Sequence, residues 1–558
     1  MSLATITSLP QFSRNTRRFK EIAGVLVKYG LANWITEQFP DVVKDLFKTS
    51  DGIDLTTLNG GVRLRLALAE LGPTFIKLGQ VLSTRIDLVG PKLASELAEL
   101  QSGTPPDPPD VVRATLESEL GDNPDTLFAE FNYHAMASAS IGQAHLAKFF
   151  DGQEVIVKVQ HKGIEEKVTT DLDILIGLTK LAEQYDPELR YYQPQATAAE
   201  FRKSLLQELD FRREMRNMQT FRKNFTNNPA IHIPTAYPDF STRRVLTMEK
   251  LEGYSISHLE RLRQDGIDGK ALIHTGANMF IDMVFRDRFY HADPHPGNIW
   301  ALPGGVVGLL DCGMVGRLDS RAQEGIEEVL MAIIAEDAEL LTDVVIRLGS
   351  APHTLDRNAL QKDVEEFVEE YVDLSVRDFD ISNVLDALTE IIRTHHILLP
   401  TGISSLVRLL IMLEGTVRML DPDFQLFELL ETRKFEFTQK QFSPQRLLQR
   451  IVRSYRDWER LLTMLPRELA DILEGLRIGN FDVHLDVRRL DTIVNRLVYG
   501  ILSAALFMGS CQVLSAKIPP LLHGVSIFGA VGCVLATILG IRLLLAIRVS
   551  GDLGKKDQ

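Results

Sequence analysis

The sequence predicts an α+β chain, two-lobed at its centre and flanked by helices, and three observations carry that expectation. Between about residues 111 and 350, strand-like alternation and helical periodicity are interleaved. On both sides, residues 1–105 and 351–490 read as helices with few strand signals. At the far end, 497–541 holds two long uncharged apolar runs.

In chain order, Met1–Lys20 lacks a long apolar core, so no secretory signal is expected, and Arg14–Lys20 is basic. Leu64–Ser83 reads as an amphipathic helix interrupted near Pro73; a lysine on such a helix, Lys77, is ordinarily solvated. Gly103–Asp110 carries four prolines and reads as a stiff connector. Small residues then dominate Met136, Ala137, Ser138, Ala139, Ser140, Ile141, Gly142, Gln143 and Ala144, which lets backbone N–H groups approach phosphate oxygens. Only Gly142 in this segment is glycine. Gln153–Val159 alternates like a strand, with Lys158 a lone cation in an apolar run; a snorkelling lysine reads the same way. A long helical pattern, about Thr197–Asn224, contains Gln207-Glu-Leu-Asp-Phe211. It can supply a carboxylate to Lys158, Glu208 as first choice and Glu200 as second, although helical glutamates more often face solvent.

His291–Trp300 and Leu309–Gly313 carry the strongest signal. Asp293 stands five residues before Asn298, and Asp311 follows an apolar run and precedes a glycine. Phosphoryl transfer needs metal ions on the phosphates and a carboxylate near the nucleophile. In the protein-kinase pattern a catalytic-loop Asp, an Asn five residues on and an Asp-x-Gly supply these in this order. Asp293 then fits the base, and Asn298 and Asp311 fit the metal ligands. A rival reading puts His291, Asp293 and His295 on one strand face around a transition metal, but Pro294 and Pro296 argue against a regular strand. Loop, lysine, acidic helix, Asp, Asn and Asp occur in register. After Gly313 only six residues precede a helix expected near Ser320. That leaves no long activation segment or Ala-Pro-Glu platform for a peptide, so water or a small or lipid-borne hydroxyl fits better as acceptor.

Leu497–Ala516 and Leu521–Ile541 span 20 and 21 residues without a charge. Each can cross a hydrocarbon core of about 30 Å as a helix. Arg488, Arg489 and Arg496 precede the pair, Arg542, Arg548, Lys555 and Lys556 follow it, and the short loop has only Lys517. Both flanks are therefore expected on the cytoplasmic side. A basic stretch within 446–460 can meet anionic headgroups, or equally form a solvated helix face. The formal charge of −14 argues against nucleic acid as the main partner, and three cysteines offer no disulfide framework.

On Lys77-Leu-Gly-Gln80, the Ala-rich segment 137–143, Val157-Lys158, Glu208-Leu-Asp210, His291–Asn298 and Asp311-Cys-Gly313, the chain resembles the UbiB family of atypical kinase-like proteins, also called AarF or ADCK. The resemblance covers most of residues 60–340 and implies an atypical protein-kinase-like two-lobed fold that binds ATP and Mg²⁺. It further implies support of ubiquinone or related isoprenoid-quinone biosynthesis, at a bacterial-type inner membrane, with quinone precursors or other lipids, and other quinone-biosynthesis proteins, as partners. By the same resemblance Lys77 and Gln80 belong to a regulatory helical extension over the active site, near Glu208 and Asp210. An ATPase or lipid-directed kinase is the first expectation. A nucleotide-gated scaffold without transfer and a true protein kinase are the alternatives.

Overall fold

The computed structural model describes residues 15–31, 58–100, 104–372 apart from 186 and 353, 381–422, 424–426, 429, and 490–549 apart from 517, 523 and 524. Arg14, Gly103, the basic stretch 446–460, Arg488, Arg489, Lys517, Lys555 and Lys556 lie outside them. The chain divides into one unit up to Phe442 and a second from Ser443.

The N-terminal extension is built from α1 (Thr16–Lys28), α2 (Gly60–Leu71), α3 (Pro73–Leu82) and α4 (Pro91–Ala98). The interruption expected at Pro73 is real: Gly72 ends α2 and Pro73 opens α3 at a position where its missing N–H costs nothing. Ile22, Leu68, Leu71, Phe75 and Leu97 form one apolar cluster that also takes in Ile174 and Leu178. Gly79 of α3 lets Leu100 pack close against the helix. A Cβ there would lie 2.1 Å from Leu100 Cδ1.

After α5 (Pro109–Leu120) comes a five-stranded sheet. It comprises β1 (Glu130–Phe131), β2 (Ala137–Ser138), β3 (Gly142–Lys148), β4 (Glu154–Gln160) and, later in the chain, a strand at Val245–Glu249. All its pairs are antiparallel. Alternation decides the two faces of β4: Val155, Val157 and Val159 are buried with Val112, Leu116 and Phe128. Ile156 and Lys158 therefore point the other way.

Next come α6 (Ile164–Tyr185), α7 (Pro194–Glu208) and α8 (Phe211–Asn224). The single helix expected over Thr197–Asn224 is thus two. Asp210 breaks it by accepting the Arg212 N–H at 3.2 Å as the N-cap of α8.

The second lobe holds a four-stranded sheet in the order β5 (Ile231–His232), β10 (Val306–Leu309), β9 (Ile299–Leu302), β7 (Tyr254–Ser255), the strand Val245–Glu249 being β6. Beside it, β8 (Phe289–His291) pairs with β11 (Val315–Arg317). Helices follow as α9 (Gly269–Ile281), α10 (Ser320–Ile334), α11 (Ala338–Leu348), α12 (Arg357–Val372), α13 (Ile381–Thr394) and α14 (Thr401–Leu420). Asp87 ties the extension to the start of α14, accepting Leu399 N–H and Ser404 Oγ–H, each at 3.1 Å, while Arg85 neutralises it.

The second unit contributes α15 (Leu490–Ser515) and α16 (Ile527–Val549), joined by the paired strands β12 (Leu521–Leu522) and β13 (Val525–Ser526). The second apolar run therefore begins its helix at Ile527 and not at Leu521. Gly529 and Gly532 face Ser510 and Leu514, and Ser503 Oγ donates to the Ala536 carbonyl at 3.0 Å. Ile501, Leu502, Met508, Phe528, Val531 and Val534 are exposed. Among the described residues no helix is long and apolar enough to cross a membrane.

Candidate active site

Lys158 stands at the centre of the site because the β4 alternation turns it away from the valine core. Opposite it, β2 and β3 form a hairpin, with Ala137 paired to Ala144 and Ser138 to Gln143. Ala139 N–H closes the turn on the Gly142 carbonyl at 2.8 Å. Gly142 must be glycine, since a Cβ would lie 2.6 Å from the Val159 carbonyl oxygen, and backbone cannot yield there cheaply. Beneath the hairpin is a cavity of about 420 Å³, lined by residues 137–144, Lys158, Glu214, Asp311 and Gly313, among others. Met136, expected with the loop, is 59% exposed and does not line it.

The partner of Lys158 is neither Glu208 nor Glu200. Lys158 Nζ lies 2.5 Å from Glu214 Oε1 and 3.7 Å from Asp311 Oδ1. The break at Asp210 explains the correction: Glu208 ends α7, while Glu214 lies one turn into α8. Glu208 pairs instead with Lys77, and Glu200 lies 3.5 Å from Arg85 and also accepts from Thr401. A signal for Glu214 existed, because it falls on the buried stripe Phe211, Glu214, Asn217, Met218, Phe221. A carboxylate in an apolar register needs a partner. Asn217, also missed, donates Nδ2 to the Cys312 carbonyl at 3.0 Å and fixes the Asp-x-Gly turn from below. Burial would lower the Lys158 pKa, but Asp311 and Glu214 outweigh it and hold the ammonium charged.

Strand register brings the remaining residues to one end of the second lobe. Ile299 pairs with Leu309, and the Asn298 carbonyl accepts Leu310 N–H at 2.8 Å, so Asn298 and Asp311 flank the same end of the β9–β10 hairpin. Asn298 Nδ2 donates to the Asp293 carbonyl and to its Oδ2, both at 3.2 Å. That leaves the Asn298 Oδ1 as the atom able to meet a cation. Asp293 and Asn298 are not among the residues lining the cavity. His291 is fully buried; its Nδ1 accepts the Asp293 N–H at 3.2 Å and its Nε2 meets the Asp311 carbonyl at 2.9 Å. His295 Nδ1 accepts Gly297 N–H at 3.0 Å. These histidines shape the loop, which speaks against the transition-metal reading.

Asp311 has φ +51, a left-handed backbone unusual for a side chain with a Cβ. Its carboxyl is lowered to about 2, first by Lys158 and, against the opposing effect of burial, by Lys77 as well. The side chain is 60% exposed, so an ionised carboxylate is presented at the cavity. An ionised carboxylate and an amide oxygen are hard donors suited to Mg²⁺. Among the described residues no cluster of three or more His, Cys, Asp or Glu forms a self-contained metal cage.

The extension closes one side. Lys77, on α3, is paired with Glu208; burial would lower its pKa, yet Glu208, Asp311 and Asp293 raise it. Gln80 Nε2 donates to the Leu100 carbonyl at 3.0 Å, and Asp210 is engaged by Arg212 at 2.8 Å. Gln80 and Asp210 line the cavity, but their shown contacts are structural. From α14, Arg408 donates to the Ser83 carbonyl. Burial lowers its pKa to about 10, and Asp293 partly opposes that shift. Thr416 Oγ1, further along α14, reaches the Pro294 carbonyl at 3.3 Å, so this helix braces the catalytic loop.

With this geometry in place, similarity to known proteins is decisive. A model of the ABC1 atypical kinase-like domain matches residues 99–345, the UbiB helical domain 364–425, and the ABC1/UbiB kinase-like C-terminal domain 483–549. A Pseudomonas aeruginosa protein named "Probable protein kinase UbiB" is 33% identical over 423 residues, 75% of this chain and 79% of the relative. The chain belongs to the ABC1/UbiB family of atypical kinase-like proteins. An "Uncharacterized protein in hydrogenase 1 5'region" of Clostridium pasteurianum is 28% identical over 96% of this chain and 99% of its own length. A solved structure titled "The complex structure of Rv3197-erythromycin from Mycobacterium tuberculosis" shares 24% identity at a TM-score of 0.38, over 61% of this chain and 92% of that one.

Proposed function

We propose that this protein is a membrane-anchored, Mg²⁺-dependent ATP-using enzyme of the UbiB type that supports isoprenoid-quinone biosynthesis by acting on, or extracting, lipid intermediates. The observation that carries the reading is Lys158 held between Glu214 and Asp311 beneath the Ala-rich hairpin. In it, Lys158 holds the α/β phosphates, Glu214 fixes its direction, and the 137–144 hairpin covers the phosphates. Asn298 and Asp311 would hold Mg²⁺, which neutralises charge on the transferring phosphoryl group. Asp293, steadied by Asn298, orients the acceptor hydroxyl or water and takes its proton.

Membrane anchoring is supported by the two charge-free runs and by the exposed apolar side chains of α15 and α16. A peptide acceptor is disfavoured, because β11 pairs with β8 directly after Gly313 and α10 starts at Ser320, leaving no peptide platform. One observation favours a nucleotide-gated scaffold as second reading: Lys77 sets a cation within electrostatic reach of both Asp293 and Asp311, where an acceptor would approach.

Full-length protein in detergent or nanodiscs, given γ-labelled ATP, Mg²⁺ and a quinone-precursor extract, tests the proposal. Label on a lipid supports the kinase, and release solely as phosphate supports the ATPase or scaffold. Asp311→Asn turning over ATP like the wild type rejects the site.

A further inference from the structure

The hairpin that covers the cavity is held by two residues that do not line it, Asp107 and His161. Asp107 sits between Pro105-Pro106 and Pro108-Pro109. Prolines fix φ on both sides, so its backbone is placed with little freedom left to lose. Its N–H donates to Gln143 Oε1 at 2.7 Å, and its Oδ2 accepts the Lys162 N–H at 3.0 Å. The same Oδ2 lies 3.4 Å from His161 Nδ1, a close approach and not an aligned hydrogen bond. The other ring nitrogen of His161, Nε2, lies 3.1 Å from the Ala139 carbonyl oxygen and 3.4 Å from Ser138 Oγ. His161 N–H donates to the Ile141 carbonyl at 3.0 Å. Four successive points of the hairpin, at 138, 139, 141 and 143, are thus tied to residues outside it. His161 and Gln143 are both buried.

We infer that Asp107 and His161 form a clamp that fixes the phosphate-covering hairpin in one shape, and that as positioning residues they set how tightly the nucleotide is bound. The inference rests on the nucleotide reading of the cavity. A hairpin free to lift must be ordered when a ligand arrives, and that ordering cost is subtracted from affinity. The clamp removes it beforehand. The alanines already restrict the hairpin relative to glycines; the proline-flanked Asp107, through its N–H on Gln143 and its carboxylate beside His161, and the buried histidine hold the restricted shape down.

The test compares full-length wild type with Asp107→Ala, Asp107→Asn, His161→Ala and His161→Gln, well below the unfolding temperature of each. Amide hydrogen exchange across 136–144 is read without nucleotide, and Mg·ATP binding is read by calorimetry. The alanine variants should exchange faster in that segment and bind Mg·ATP roughly tenfold more weakly. Turnover should show the loss in KM, with kcat little changed. His161→Gln, which can still donate to the Ala139 carbonyl, should recover part of both effects, and Asp107→Asn, whose amide oxygen can still accept the Lys162 N–H, should lose less than Asp107→Ala. Unchanged exchange in Asp107→Ala and His161→Ala overturns the clamp whether or not nucleotide binds. Faster exchange with unaltered affinity overturns the positioning role, and reduces the contact to plain stability. A wild type that binds no Mg·ATP overturns the function and the positioning role together, while the exchange data still decide the clamp.

Discussion

Glu214 offers the sharpest single perturbation, because the helix break at Asp210 transfers to it a role that chain position alone would give Glu208. In Glu214→Gln the volume and one hydrogen-bond acceptor persist and the charge is lost. Lys158 Nζ then keeps a single close carboxylate, Asp311 at 3.7 Å, in place of two, the nearer at 2.5 Å. At an effective dielectric of about 20, the 2.5 and 3.7 Å separations correspond to roughly 7 and 4.5 kcal/mol of direct attraction, respectively. Most of the larger figure is offset, because the neutral amide is cheaper to bury than the carboxylate and still accepts from the ammonium. A net loss of about 2–3 kcal/mol remains for the correctly placed lysine, typical of a hydrogen bond to a charged group. Released from Glu214, Lys158 is drawn toward Asp311 and competes with the metal. Expressed in kcat/KM for Mg·ATP turnover, this is roughly a 30- to 150-fold decrease. Steady-state phosphate release by the full-length protein measures it, with circular dichroism to confirm the fold. Glu208→Gln, which removes the Lys77 partner, should leave Lys158 in place and spare far more of the nucleotide affinity. Wild-type kcat/KM in Glu214→Gln, or equal loss of Mg·ATP affinity in both variants, would refute the reasoning.

Three further expectations follow from the geometry. Asp311 has its carboxyl depressed to about 2, so its ionic contribution to stability is complete above roughly pH 4 and is lost as pH falls through about 2; acid titration followed by fluorescence should show this loss in wild type and a weaker one in Asp311→Asn. Gly142→Ala drives a Cβ to within 2.6 Å of the Val159 carbonyl and should lower stability by about 1–3 kcal/mol while loosening the hairpin, read by urea unfolding and by amide exchange at 137–144. A chain ending before α15 should shift from the membrane to the supernatant fraction in a sedimentation assay while keeping Mg·ATP binding, and unchanged sedimentation with membranes would count against anchoring by this hairpin.

Much of the site was legible because its signals are local. Asn298 and Asp311 are brought together by one β-hairpin, and Asp293 is tied to Asn298 within the short loop before it, so all three leave their mark in a single local stretch of chain. Lys158 was legible from strand alternation, since a cation in a period-2 apolar run must point away from the core on one side. The Pro73 interruption was legible because proline cannot continue α2. Glu214 carried only a weak mark, its place on an apolar stripe, because a helix continuing through Leu209 and one broken there have similar periodicity, and the N-cap role of Asp210 emerges only when the chain turns. The clamp of Asp107 and His161, 54 positions apart, has no local signature, nor does the approach of Arg408 to Asp293, which depends on how α14 docks beneath the catalytic loop. Met136 is exposed at the outer end of the hairpin, and a run of small residues does not reveal which end of a hairpin faces solvent.

The account stands most directly on the joint use of Lys158 and Asp311 by one Mg·nucleotide. Calorimetric titration of Mg·ATP into full-length wild type, Lys158→Met and Asp311→Asn, each first shown to be folded, measures this. We expect one binding event in the wild type, sharply weakened in Lys158→Met, and in Asp311→Asn a loss of the magnesium dependence of binding. Equal, magnesium-dependent binding in all three, or none in the wild type, would contradict it.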